Sequence, residues 1–315
     1  MNCGPRTSHI VFLMSFLAAM HCTTAAQNAG PATTDRSKVI VGVLEDIAGY
    51  WMGKSEYRAV RLVFEKDGAV WKPFPINAQV QAKLESLAQV YPTGMRLTVA
   101  FDGRSLGTVS TKPLDTFGFF GDVEAENIVA SQGVPTVGKK SMEYAGFPSE
   151  PVYRPLVAVS RPYFSDPDGW KRSSPSAEQI AAAREQFKSK FLKVENCRNY
   201  TENVPRLWRY RDEDIKVNKA YSSRSGTLLI DISLDGYACD GPLESGGPFD
   251  HQWYLISPSG TARFIGTEMW LVDAGDYDND GESEVIFAIN AYNTGGYRLF
   301  YHGFEKNAEY IFHYH

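Results

Sequence analysis

From Gly226 onward the chain repeats one cadence: a short apolar run, a tight turn, another apolar run. "WYLIS" (Trp253 to Ser257) and "TARFI" (Thr261 to Ile265) flank Pro258-Ser259-Gly260. "EVIFAINAY" and "YRLFYHGF" flank Asn293-Thr294-Gly295-Gly296, and "AEYIFHY" supplies a last strand. Strand, turn, strand at roughly ten-residue spacing predicts antiparallel meanders of a sandwich, barrel or propeller rather than a βαβ fold. The N-terminal half carries the same signals. Asp67-Gly68 interrupts "YRAVRLVFEKDGAVWKPF", and Asp102-Gly103 interrupts "RLTVAFDGRSLGTVST", each a hairpin signature. "KVIVGVL" (Lys38 to Leu44) adds a β-branched run.

Two helices are predicted among these strands. Val80, Leu84, Leu87 and Tyr91 recur at helical spacing behind Asn77, a suitable N-cap. Ile180, Ala183, Phe187 and Phe191 form a second stripe, with lysines near its end. Pro162 to Ser176, dense in Pro, Asp, Gly and Ser, reads as a linker or long loop. The expected fold class is mainly β with two or so helices, in antiparallel meanders. A small irregular propeller is the favoured architecture and two β-rich subdomains the alternative. Residues 1–26 read as a signal peptide, 27–37 as a polar linker, and 38–165 as an N-terminal β-rich region. Residues 166–315 hold a helix and a meander.

The signal reading rests on Arg6, on an apolar core from Ile10 to Met20 too short for a bilayer, and on Thr24 and Ala26 before the cut. A buried or anchoring helix is the other reading, and Cys22 raises lipidation, although His21 precedes it where lipoprotein signals prefer a small residue. Only Arg6 is charged before the cut, so the mature chain keeps 31 of 32 basic residues and all 37 acidic ones, a net charge of −6. That balance argues against nucleic acid, which asks for a basic stripe. No later run is long and apolar enough to span a membrane. Cys197 and Cys239 remain in an oxidising compartment, where pairing is the default and two separate buried thiols the alternative.

"DAGDYDNDGESEVIF" (Asp273 to Phe287) crowds five acidic residues into the nine positions from Asp276 to Glu284. Asp276, Asp278 and Asp280 fall at loop positions 1, 3 and 5, Gly281 permits a sharp turn, and Glu284 returns a carboxylate at position 9. Calcium takes six to eight hard oxygens on such a loop. An EF-hand would need Glu at position 12, where Phe287 stands, and helical flanks in place of strands. A solvated acidic turn is the other reading, in which unneutralised carboxylates repel one another.

"AGDYDNDGESEVIF" resembles the calcium loops of FG-GAP and VCBS-type repeats, found in integrin α-subunit propellers and many exported bacterial proteins. The resemblance implies Asp276, Asp278, Asp280 and Glu284 as side-chain ligands and Glu282 as a carbonyl ligand of a structural calcium ion. The family usually has Asp at position 9 and several loops, where this chain has Glu284 and one loop. The likeness covers this loop alone.

Other constellations are thinner. His313 and His315 would share a strand face, with His302 on the neighbouring strand as a third metal ligand. Asp250 and His251 could form half of a catalytic pair, but no GxSxG elbow or HExxH helix accompanies them. The six tryptophans are scattered, as core filling or as platforms for sugar rings. The sequence thus points to an exported, periplasmic or extracellular calcium-binding module whose partner is a glycan or another extracytoplasmic protein. The alternative is a secreted hydrolase acting on glycan or peptide.

Overall fold

The structure, a computed structural model, describes residues 38–46, 58–74, 94–111, 115–117, 126–130, 154–161, 165–192, 194–196, 206–234, 238–239, 251–291 and 294–313. The signal peptide, the linker and the helix predicted behind Asn77 lie outside them. The chain is mainly β, in antiparallel sheets that do not close on themselves, with one α-helix among the described residues.

The first sheet takes strands β1 (Val39–Asp46), β2 (Arg58–Asp67), β3 (Val70–Pro73), β4 (Arg96–Phe101), β5 (Arg104–Ser110), β6 (Asp115–Phe117), β7 (Glu126–Ala130) and β8 (Leu156–Val159). Its order is β5-β4-β8-β1-β2-β7-β6, with β3 beside β2. Both predicted hairpins form, the first turning one residue later at Gly68-Ala69 and the second at Asp102-Gly103, and Gly68, Asp102 and Gly103 have φ of 62°, 47° and 68°. Those are the left-handed values that a two-residue hairpin turn requires.

Downstream come β9 (Lys171–Arg172), helix α1 (Ala177–Lys190), β10 (Val194–Asn196), β11 (Arg206–Trp208), β12 (Ile215–Ser222), β13 (Leu228–Leu234) and β14 (Ala238–Cys239). The chain ends in β15 (Gln252–Ile256), β16 (Ala262–Gly266), β17 (Met269–Gly275), β18 (Glu284–Ala291), β19 (Thr294–Tyr301) and β20 (Lys306–His313). Two sheets are meanders in chain order: β9-β12-β13-β15-β16 and β17-β18-β19-β20. A ribbon, β11-β10-β14, stands apart from them. Helix α1 starts at a capping box, Ser176 Oγ accepting from the Gln179 N–H and Gln179 returning to the Ser176 N–H.

One expected turn is displaced. Thr294, Gly295 and Gly296 belong to β19, and the connection falls at 292–293. The glycines are there because β20 passes too close for side chains: a Cβ at Gly295 would meet the Phe312 ring at 2.6 Å, and one at Gly296 the Tyr310 carbonyl oxygen at 2.1 Å.

The β17–β20 sheet is buried on both faces, and this explains why "EVIFAI" is continuously apolar rather than alternating. Ile286 and Ala288 pack with Val41, Val43 and Phe64 of the first sheet. Val285 and Phe287 point the other way, onto Leu229 and Trp253 of the five-stranded sheet. Phe287 meets the Trp253 ring edge to face at 5.0 Å. Beyond the five-stranded sheet, Ala183 and Phe187 of α1 cover Ile230, Ile232 and Tyr254. Helix, sheet, sheet and sheet stack within one compact unit, Thr33–His315. The regions 38–165 and 166–315 therefore share a core. Among the described residues no helix is long and apolar enough to cross a membrane.

Candidate metal centre

The acidic loop closes the hairpin between β17 and β18, whose last paired residues are Gly275 and Glu284. Asn279 and Gly281 take φ of 63° and 93°, which turn the loop inward. Gly281 holds the position where the sequence asks for a sharp turn. The carboxylates then fold back onto the loop's own N–H groups. Asp276 accepts from Asp280 and Gly281 N–H, both at 3.0 Å. Asp278 accepts from Asp280 N–H and Asp280 from Glu282 N–H, again at 3.0 Å. Glu284 accepts from Tyr277 N–H at 2.8 Å.

Asp276, Asp278 and Glu284 bring ligand oxygens within 4.8 Å of one another. Three hard, anionic oxygen donors on a glycine-turned loop fit calcium in donor chemistry. Of the four predicted side-chain ligands, these three converge. Asp280 instead turns to the Lys66 Nζ at 3.2 Å, and the same ammonium bonds Asp278. The Glu282 side chain is exposed and pairs with His302 Nδ1 at 3.4 Å.

Sequence reading missed Lys66 and Trp71. They are cross-strand partners in the β2–β3 hairpin, so one short element delivers both to the loop. Trp71 Nε1 donates to Glu284 at 3.3 Å. Nothing local announces this, because Lys66 and Asp278 stand 212 positions apart.

Burial, and then the Asp278 charge, push the Glu284 carboxyl up to about 9. Burial likewise raises Asp276, against the pull of the Gly281 and Asp280 N–H groups. Burial also works upward on Asp280, but the Glu282 N–H and Lys66 outweigh it, so Asp280 lies below the usual carboxylate range. Lys66 is pulled down by burial yet ends above its ordinary value through Asp278. One ammonium thus faces the Asp278 and Asp280 carboxylates together.

The loop is fastened to the segment that precedes β9. Asp276 N–H donates to the Ser165 carbonyl at 2.6 Å, and Ser283 Oγ donates to Asp166 at 2.7 Å. Asp166 in turn caps the Gly169 and Trp170 N–H groups. Residues 162–176, read from sequence as a linker or long loop, include a short turn held in place from both sides.

His251 has a carboxylate partner, but it is Asp231, at 2.8 Å from Nδ1. Asp231 is fully buried on β13, where burial raises its pKa against His251. Asp250 lies outside the described residues. His313 bonds Thr294 Oγ1 at 3.1 Å rather than joining His302, and His315 is outside the described residues. Cys197 is outside them too. The β10–β14 register sets Asn196 opposite Ala238, one position along the chain from each cysteine.

No protein-family model, curated protein or solved structure matches the chain. The likeness of the loop to calcium repeats therefore stands on its own residues.

Proposed function

We propose that this chain is an exported calcium-binding β protein, a binding or structural module in which calcium clasps the β17–β18 hairpin. The observation that carries the reading is the convergence of Asp276, Asp278 and Glu284 oxygens within 4.8 Å on a strand-flanked loop. One neighbouring lysine balances only part of that charge. The ion's role is structural: the loop ties two strands and the 165–170 turn together. Residues 1–26 act as the export signal, and Cys197 and Cys239 pair once the chain is outside the cytoplasm.

Thermal melts of the mature protein in excess calcium and in EDTA, beside Asp278→Ala, test the ion. Calcium at a hundred times its dissociation constant should add about 2.7 kcal/mol to the wild type and far less to the variant. Equal melts in calcium and EDTA, or an equal gain in Asp278→Ala, would sink the site.

A second reading, a secreted hydrolase, draws on the buried Asp231–His251 pair beside Trp270. It requires a glycan or peptide substrate whose turnover disappears in a folded His251→Ala protein.

A further inference from the structure

Beside β17 lies a cleft of about 420 Å³, walled by all three large sheets and their connections. That size falls within the range of small-ligand sites. Asp102 and Arg154 come from the first sheet's connections, Asp231 and Trp253 from the five-stranded sheet, and Trp270 and Asp273 from β17.

Three β-bulges meet there. The strand registers shift at Val217/Lys219 on β12, at Leu271/Asp273 on β17, and opposite Trp253/Tyr254, where β16 carries the extra residue Ile265. Lys219, Trp253 and Asp273 all line the cleft. A bulge re-aims the side chain it carries, and such defects gather at functional sites.

Among the described carboxylates of the cleft, Asp273 is the one that packing leaves unfinished. Its side chain is only 2% exposed. Oδ1 accepts the Asp102 N–H at 2.9 Å, while Oδ2 has no hydrogen-bond partner among the described residues. The other cleft carboxylates are engaged: Asp102 by Arg154 at 2.7 Å, Asp231 by His251 and Asn218, and Asp166 by its turn and Ser283. A buried acceptor without a donor is costly, so Asp273 marks where a ligand donor belongs.

The rest of the lining narrows the donor's owner. Trp170, Tyr221 and Trp270, each partly buried, line the cleft. A ligand therefore needs an apolar face beside its donor. An ammonium is disfavoured, because Arg154 stands 3.8 Å from Asp273. An anion would meet Asp273 itself. As many cationic as acidic side chains line the cleft, so no net charge selects a charged ligand. What remains is a neutral ring with hydroxyl donors on its edge and C–H groups on its face.

We propose that the cleft binds a neutral sugar ring, with Asp273 Oδ2 accepting a ring hydroxyl and Trp170 as the stacking platform. This names the ligand of the binding-module reading and rests on that reading, but not on calcium. The fastening of the 165–170 turn by Asp166 fixes where Trp170 stands.

The test is calorimetric and tryptophan-fluorescence titration of the mature protein with cellohexaose, maltohexaose and chitohexaose. Hexagalacturonate and spermidine serve as charged probes. At least one neutral oligosaccharide should bind saturably. Trp170→Ala should weaken it at least tenfold and Asp273→Asn at least fivefold, both with wild-type near-ultraviolet circular dichroism. Should Trp170→Ala unfold, Trp170→Phe keeps an apolar ring and should weaken binding about threefold. Absence of binding by all three neutral sugars, binding of a charged probe alone, or wild-type affinity in folded Trp170 and Asp273 variants overturns the proposal. Titrations run in calcium and in EDTA separate the two readings. Sugar binding without calcium stabilisation removes only the ion, and calcium stabilisation without sugar binding removes only this cleft.

Discussion

The acidic loop and the cleft beside β17 both gather carboxylates, but they do so by opposite routes. In the loop, five acids fall within nine positions, and the backbone's own N–H groups hold them while one lysine offsets part of their charge. In the cleft, Asp102 and Asp273 stand 171 positions apart and are joined by sheet packing alone. Asp276 and Glu284 are as buried as Asp231 and Asp273, while Asp280 and Glu282 stay nearer solvent. A crowded turn can be assembled locally and then await a cation. A sparse, dry site exists only once three sheets have met.

That contrast can be broken at three places, in falling order of effect. Both regions lean on the β17–β20 sheet, so removing its buried ring should be felt everywhere. Phe287→Ala deletes a side chain packed on Trp253 and Phe300 and should cost about 3–5 kcal/mol in urea denaturation. Two separate transitions, with the first sheet's unchanged, would show that the shared layer does not unite the molecule.

The cleft should announce itself through pH. Burial pushes Asp273 up to about 7 from an ordinary 3.8. Its folded pKa exceeds its unfolded one, so its favourable contribution is complete below about pH 4. It is lost as pH rises to about 7. Three pKa units correspond to at most roughly 4 kcal/mol. Asp273→Asn lacks this loss, so its stability relative to wild type should improve steadily between pH 4 and 7 and then level off. A difference that stays flat across that range would place Asp273 in water rather than in a dry cleft.

The loop should give the smallest effect and the most salt-sensitive one. Lys66→Met removes the ammonium shared by Asp278 and Asp280, and should lower stability in EDTA by about 1–2 kcal/mol. Moderate salt should shrink that loss, because Asp280 is partly exposed. The same variant should gain more from calcium than wild type does, since the ion no longer competes with a lysine. An unchanged calcium response would mean that Lys66 and the ion do not share the loop.

What could be read from the sequence follows the same divide. The hairpins at Asp67-Gly68 and Asp102-Gly103, the stripe of α1 and the loop's Asp276, Asp278 and Glu284 are all short-range patterns, legible because their partners lie within a turn or two. The cross-strand pair Lys66 and Trp71 was invisible, since its target is on a strand far along the chain. Asp231 sits inside "LLIDISL" as one polar residue in an apolar run, the only local hint of a buried acid. Asp250 drew notice as the neighbour of His251, yet the acid bonded to His251 comes from another strand. Gly295 and Gly296 read as a turn because glycine favours turns, while here it makes room between two strands.

The double burial of the β17–β20 sheet also sets an order of events. That sheet is made of consecutive hairpins, so its contacts are local and quick to form. The first sheet, by contrast, joins β8 to β1 and β4 across long stretches of chain. Its inner face, with Val41, Val43 and Phe64, is covered by Ile286, Tyr297 and Leu299. During synthesis that face stays uncovered until the strands from Glu284 to Tyr301 have emerged, and those later strands close it.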